Sequence, residues 1–335
     1  RVVHAAEGDE VIEFGLRRAQ GPDGGVGASR AAWIGGCHAT SNVLAGKLFG
    51  IPLRGTHAHS WVMAFDSEFE SFEAYARAMP NNTVLLVDTF DTLEGVRSAV
   101  KIATSLREQG QELLGIRLDS GDLAYLSIEA RRILDEAGFP DVKIVATNDL
   151  DEEIITSLKQ QGAKINVWGV GTRLATAWEQ PALGGVYKLA ALRDEHGEWR
   201  HTIKLSEQTA KVSIPGSLQV RRFRQNGLIR GDMIWDELDP PGDTTIVDPL
   251  DPTRRKVFGA GLTSEELLIP IFRGGRRVYD VPPLAESRER AIRQLETLHP
   301  TSRRLVNPHI YPVGLARNLH ERRTGLILRA RGVGA

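Results

Sequence analysis

The sequence predicts an α/β protein: an irregular (β/α) barrel of parallel strands joined to a smaller β-rich or α+β domain. Two observations carry that prediction. From residue 10 to 192, short apolar runs alternate with amphipathic helical segments, the pattern of parallel strands joined by helices. Beyond residue 193 the pattern changes to short alternating runs broken by Gly and Pro, as in β-hairpins.

The expected strands are VIEFGL (11–16), IPLRGT (51–56), TVLLVDT (83–89), LLGIRLD (113–119), VKIVATN (142–148) and INVWGVG (165–171), with GGVYKLAAL (184–192) as a seventh. Between them, TLEGVRSAVKIATSLREQG, LAYLSIEARRILDEAG and DEEIITSLKQQG place apolar residues at helical spacing. They stop at Gly110, Gly138 and Gly162, the residue type suited to a left-handed C-terminal cap. Asp91, Asp122 and Asp151 can cap the starts of these helices. No Gly-x-Gly-x-x-Gly opens the first unit, which argues against a dinucleotide-binding fold. ESRERAIRQLETL (286–298) is expected as one amphipathic helix. The domain division is 1–195 for the barrel, 196–260 for a β-rich module and 261–335 for a C-terminal α+β segment.

Composition narrows the function classes. The 335 residues are 41% hydrophobic and 25% charged, as in a globular protein, with core enough for a large domain and a smaller one. A net charge of −1 provides no global field for nucleic acid or an anionic membrane, so neither is expected as a partner. Cys37 is the single cysteine, which excludes an internal disulfide and fits a reducing, cytoplasmic compartment. No apolar run approaches the roughly 20 residues of a membrane span, and no signal peptide is expected. The chain opens Arg1-Val2-Val3 without an initiator Met, which leads to the expectation of a fragment lacking a native N-terminal segment.

Polar and ionisable residues crowd the carboxyl end of every expected strand, the face on which closed (β/α) barrels place their chemistry. WGVGTR, with Gly169, Gly171 and Thr172, is a glycine turn into a helix suited to phosphate. LGGVYK adds Lys188, GLRR adds Arg17 and Arg18, and GIRLDSGD adds Arg117, Ser120 and Gly121. Such a set on one face of a nearly neutral chain implies a ligand with more than one phosphate. Asp88 and Asp119 can pair with these arginines, or hold sugar hydroxyls directly and Mg²⁺ partly through water. Asn148 in TNDL lies at the same face, and Phe14 is either core or a surface for a flat heteroaromatic ring. In GTHAHS, His57 and His59 have the spacing of a zinc amidohydrolase pair. The later strand ends offer no further His or Lys to complete that ligand set. An imidazole beside a phosphate-rich pocket can instead be phosphorylated by ATP.

Together these motifs resemble those of the nicotinate phosphoribosyltransferase family. The resemblance rests on EFGLRRAQGPDGG, GTHAHSWVM, LLVDTFDTLEGV, GIRLDSGDL, NDLDEE, NVWGVGT, LGGVYKL, KLSEQTAKVSIPG and NPHIYPVGL, in order along nearly the whole chain. It implies an irregular barrel with a smaller domain, usually in a homodimer, that joins nicotinate to phosphoribosyl pyrophosphate in NAD salvage, coupled to ATP hydrolysis with Mg²⁺. It also implies that His59 is the catalytic, phosphorylated histidine, with His57 at a variable position. Phe14 would be the ring-stacking aromatic, with Arg17 beside it. Asp88 and Asp119 would lie around the ribose and Mg-pyrophosphate, with Arg117 on the phosphates. Gly171, Thr172 and Lys188 would take the 5′-phosphate. GGCHATSN has no acidic residue to accept from an amide, so Thr40 and Ser41 suit an anionic carboxylate rather than nicotinamide. The HAHS match argues against quinolinate phosphoribosyltransferase. A metal-dependent amidohydrolase-like barrel and an inactive fragment remain as more distant alternatives.

Overall fold

The computed structural model describes residues 1–208 and 211–333; Thr209 and Ala210, inside the KLSEQTAKVSIPG motif, lie outside the described residues. The chain divides into two compact units. The first holds residues 1–183 and 283–292, and the second holds 184–282 and the chain from Arg293 onward. The boundary therefore falls before residue 195. The expected 196–260 and 261–335 pieces are not separate, because one sheet draws strands from both.

In chain order, the first unit comprises α1 (Val2–Ala5), β1 (Glu10–Glu13), a 3₁₀ turn (Leu16–Arg18), α2 (Gly21–Ile34), β2 (Ala39–Thr40), α3 (Val43–Phe49), α4 (His59–Val62) and α5 (Glu68–Ala78). It continues with β3 (Val84–Leu86), α6 (Thr92–Glu108), β4 (Gly115–Leu118), α7 (Leu123–Glu136), β5 (Lys143–Ala146), α8 (Glu152–Gln160), β6 (Val167–Val170) and α9 (Thr172–Ala175). Its six strands form an all-parallel sheet in the order β2-β1-β6-β5-β4-β3, curled into a half-barrel. Each long helix covers the sheet with an apolar stripe. In α6 the stripe is Val96, Ala99, Ile102, Ala103 and Leu106, the spacing a 3.6-residue period requires. Asp91, Asp122 and Asp151 each accept the third helical N–H of α6, α7 and α8. Gly110, Gly138 and Gly162 all take left-handed φ angles after these helices. Leu85, Ile116, Leu118, Ile144 and Trp168 are wholly buried in the sheet. Ile12, Val145 and Val167 form a cluster with Val84 and Phe14 against it.

Two expected strands change. IPLRGT makes only one parallel bridge, Leu53 to Thr40, while the strand paired with β1 is the short β2 in the GGCHATSN stretch. GGVYKLAAL does not join the sheet. It runs as irregular chain into β7 (Ala191–Arg193), which pairs antiparallel with β8 (Trp199–His201) in the second unit.

Side chains rather than a backbone ladder close the gap between the 53–57 segment and β3. His57 is 7% exposed, and its Nε2 accepts the Leu86 N–H at 3.1 Å. From β4, Arg117 donates to Thr56 Oγ1 at 2.8 Å and to the His57 carbonyl at 3.3 Å. The histidine at the variable position of the motif is thus a structural bridge.

The second unit continues with β9 (Leu218–Gln225), β10 (Leu228–Asp236), β11 (Thr245–Val247), β12 (Arg255–Val257), β13 (Thr263–Glu266), β14 (Phe272–Arg273), β15 (Arg276–Arg277), α10 (Leu284–Glu296), β16 (Val313–Ala316) and α11 (Arg317–Ala330). Residues of α10 through Ile292 group with the first unit. Asn226 and Gly227, both at positive φ, turn β9 into β10, as an Asn-Gly hairpin demands. The sheet order is β12-β11-β16-β10-β9-β13 over a core of Phe223, Met233, Ile246, Phe258 and Leu315. Buried Asp232 accepts a bidentate pair from Arg222 (2.9 and 2.8 Å) and the Tyr311 hydroxyl at 2.9 Å. Among the described residues no helix is long and apolar enough to cross a membrane.

Burial, reinforced by Arg117 and opposed by the Ala58 carbonyl, brings the His57 pKa down to about 4. Between pH 6.5 and 4 the unfolded chain therefore binds a proton that the folded chain excludes, so stability present above pH 6.5 is lost as the pH falls. Denaturant unfolding should show about 2 kcal/mol less stability from this group at pH 5 than at pH 8. That increment should vanish in His57→Leu, which should itself lose about 1–3 kcal/mol at pH 8 by leaving the Leu86 N–H unpaired.

Candidate active site

The carboxyl ends of the parallel strands surround a cavity of about 440 Å³. Phe14, Arg17 and Arg18 reach it from the turn after β1, and Ser41 from the end of β2. Thr56, His57 and His59 line it from the closing segment, and Arg117 and Asp119 from β4. Asn148 and Asp149 follow β5, and Gly169, Gly171 and Thr172 come from β6 and its turn. Most of the expected site residues therefore converge. Phe14 also lines a larger cavity of about 780 Å³ that opens among the amino ends of the strands.

His59 begins α4 with its side chain 38% exposed. Its Nδ1 lies 3.1 Å from Thr89 Oγ1, and its Nε2 lies 3.4 Å from Asp119 Oδ2 and 3.9 Å from Asp88 Oδ1. Asp88 is 8% exposed. Its Oδ2 accepts the Asp119 N–H at 2.8 Å and the Ser120 hydroxyl at 2.7 Å, while its Oδ1 is buried with no hydrogen-bond partner. A buried carboxylate oxygen left unpaired is costly, and a ligand group or cation would relieve it. Burial raises the Asp119 pKa, but the Thr147 hydroxyl, then Arg117 and His59, outweigh it and hold the group below its ordinary value.

Arg117 is more committed than its expected phosphate role implies. Besides its contacts to Thr56 and His57, Nε donates to Thr147 Oγ1 at 2.9 Å and Nη2 to Asp119 Oδ1 at 2.8 Å. Four of its five N–H donors hold the frame. Thr40 is wholly buried: it donates to Glu13 at 2.6 Å and accepts the Asn42 N–H at 3.0 Å, so Ser41 is the hydroxyl that lines the cavity. Gly121, at φ +77°, shapes the loop that carries Ser120. Lys188 lies exposed in the second unit, in the irregular run before β7.

Sequence reasoning passed over Thr56, Thr89, Thr147, Asp149 and Glu13. A hydroxyl at a strand end is too common to single out, and a glutamate inside an apolar strand run was the one signal that could have been followed. Asn148 (φ 92°) and Asp149 (φ 39°) both hold left-handed backbone, a local strain that clusters at functional sites.

A curled parallel half-barrel with a histidine–carboxylate cluster, arginines and glycine turns at the carboxyl ends of its strands defines the class: an α/β protein with one strongly polar, ionisable face. A family model described as the nicotinate phosphoribosyltransferase (NAPRTase) family matches residues 10–204, and one for the nicotinate phosphoribosyltransferase C-terminal domain matches 219–323. The chain belongs to the nicotinate phosphoribosyltransferase family. It is 44% identical over 317 residues to a Bacillus subtilis nicotinate phosphoribosyltransferase, covering 92% of this chain and 64% of the relative. An Arabidopsis thaliana relative, nicotinate phosphoribosyltransferase 2, is 37% identical over 382 residues, covering 95% and 67%. The crystal structure of human nicotinic acid phosphoribosyltransferase superposes with a TM-score of 0.79 at 30% identity, covering 97% of this chain and 72% of that one. The chain thus spans about two thirds of the length of the curated relatives it matches.

A Cβ on Gly169 would lie 2.6 Å from Thr147 Cγ2 and 2.8 Å from the Phe14 ring. Gly169→Ala should cost about 1–3 kcal/mol of stability, read as a lowered melting temperature, and should push Phe14 off its position.

Proposed function

We propose that this chain carries the catalytic α/β unit of a nicotinate phosphoribosyltransferase. The reaction forms nicotinate mononucleotide and pyrophosphate from nicotinate and phosphoribosyl pyrophosphate, in NAD salvage, and is coupled to ATP hydrolysis through a phosphohistidine at His59. The observation that carries this reading is the seating of His59. It is a partly exposed imidazole facing a cavity with three arginines and a glycine turn, with each ring nitrogen next to a polar partner.

The chain's own groups suggest how this works. With Asp119 accepting the Nε2 proton, the imidazole lone pair is on Nδ1, beside Thr89. Nδ1 bonds to the terminal phosphorus of ATP as the bond to ADP breaks, and the Asp119 carboxylate offsets the positive charge on the ring. In the transfer step the pyridine nitrogen attacks C1 of the ribosyl group as pyrophosphate leaves. Phe14 and Ser41 hold the base, and the main-chain turn at Gly171–Thr172 takes the 5′-phosphate at a helix N-terminus. Arg17 and Arg18 oppose the charge that develops on the leaving group.

Mg²⁺ fits the donor set. Asp88, with its unpaired buried oxygen, and Asp119 would hold it, mostly through water and phosphate oxygens. When bound, it would neutralise pyrophosphate charge. The family resemblance extends the reading to a homodimer.

Incubating the full-length gene product with γ-labelled ATP and Mg²⁺ tests the proposal. Acid-labile, alkali-stable label should appear in the wild type, vanish in His59→Asn and fall at least tenfold in Asp119→Asn, about the loss of one charge-assisted hydrogen bond. An unlabelled wild type that still makes nicotinate mononucleotide would retain the transferase and remove the phosphohistidine.

A further inference from the structure

Glu13 ends β1 and is 1% exposed, yet its carboxylate has no cationic partner in its hydrogen bonds. Oε1 accepts the Gly15 N–H, and Oε2 accepts the Ser29 hydroxyl at 2.8 Å and the Thr40 hydroxyl at 2.6 Å. Its main-chain carbonyl accepts the Ser41 N–H at 3.0 Å. Keeping a carboxylate inside a protein on neutral donors alone is expensive unless all of them are fixed in place. An apolar side chain would fill the same space at lower cost, so the acceptor geometry is what this position needs.

The donors it gathers are placed informatively. Gly15 directly follows Phe14, and Thr40 directly precedes Ser41; Phe14 and Ser41 both face the catalytic cavity. Ser29 comes from the middle of α2, so the carboxylate ties the turn after β1, the end of β2 and a covering helix to one point. Asn42 extends the tie. Its Nδ2 donates to Ser29 Oγ at 3.2 Å, and its Oδ1 caps α3 by accepting the Ala45 N–H. The separation between the aromatic face at Phe14 and the hydroxyl at Ser41 is thus set by a group that itself touches neither the cavity nor a ligand.

We propose that Glu13 is the positioning residue of the base-binding corner, fixing Phe14 and Ser41 at the spacing that a pyridine carboxylate requires. The proposal rests on the reading of this chain as a nicotinate-using transferase. Neither His59 nor the Asp88–Asp119 pair is hydrogen-bonded to it, and Arg17 and Arg18 lie exposed beyond the turn it holds, so its effect falls on the base.

Steady-state kinetics of the full-length protein with Glu13→Gln tests it. Glutamine keeps the shape and one acceptor but sets an N–H₂ against donors. The KM for nicotinate should rise about tenfold, the scale of a sub-ångström misplacement of a substrate contact. The KM for phosphoribosyl pyrophosphate and the labelling of His59 by ATP should stay within about twofold. Ser29→Ala, which removes one donor and leaves the carboxylate, should raise the nicotinate KM by a smaller factor and decides the matter if the glutamine variant does not fold. An unchanged nicotinate KM in the variant that folds, or both substrate KM values rising together, would overturn the positioning role. A wild type with no nicotinate-dependent transfer would instead remove the functional reading on which the proposal stands.

Discussion

The guanidinium of Arg117 is the tie on which the cavity-lining face depends. A half-barrel has two edges, and an unpaired edge leaves main-chain donors and acceptors unsatisfied. Here the edge at β3 faces the 53–57 segment across a gap too irregular for a ladder. Arg117 reaches over it to Thr56 and the His57 carbonyl, while holding Asp119 and Thr147 on its own side. His57 adds the second stitch, to the Leu86 N–H. The position of His59 two residues further on is therefore decided by side-chain geometry at the seam. A planar, permanently charged fork suits that task because it spends several fixed donors at once.

This use of Arg117 shifts the burden of charge recognition. With four donors engaged in the frame, the guanidinium contributes field more than contacts, and the exposed cations of the face are Arg17 and Arg18 in their short 3₁₀ turn. The carboxylates divide in the same way. Glu13 is buried and saturated, whereas Asp88 is buried with one oxygen unpaired. The first kind of buried charge fixes a shape. The second stores an unmet demand that a bound ligand or ion can answer, which is how a site becomes preorganised for charge it does not yet hold.

Much of the first unit was legible in the sequence, and the reason is local. Helical spacing in α6, α7 and α8, the aspartates that cap them and the glycines that end them each act within a few residues, so the sequence states them directly. Strand ends rich in ionisable residues likewise marked the face, and Phe14, Arg17, His59, Asp119 and Gly171 all meet at one cavity. The second unit was read as hairpins, correctly at β9–β10, where Asn-Gly sets the turn.

What escaped is what depends on distant partners. β2 is two residues long and exists because β1 lies beside it, whereas IPLRGT, a better strand by composition, has a partner for a single bridge. GGVYKLAAL has strand-like residues but pairs, at its end, only with β8. Thr40 and Ser41 are equivalent in a sequence, and only the fold turns one onto the Glu13 carboxylate and sets the other, bonded to the Glu13 main-chain carbonyl, at the cavity wall. The sequence by itself determined the alternation, the helix boundaries and the chemical inventory of the face, because each follows from periodicity and residue type. The tertiary structure alone decided which histidine became a bridge and which stayed partly exposed at the cavity, because a hydrogen bond to Leu86 depends on where β3 lies in space.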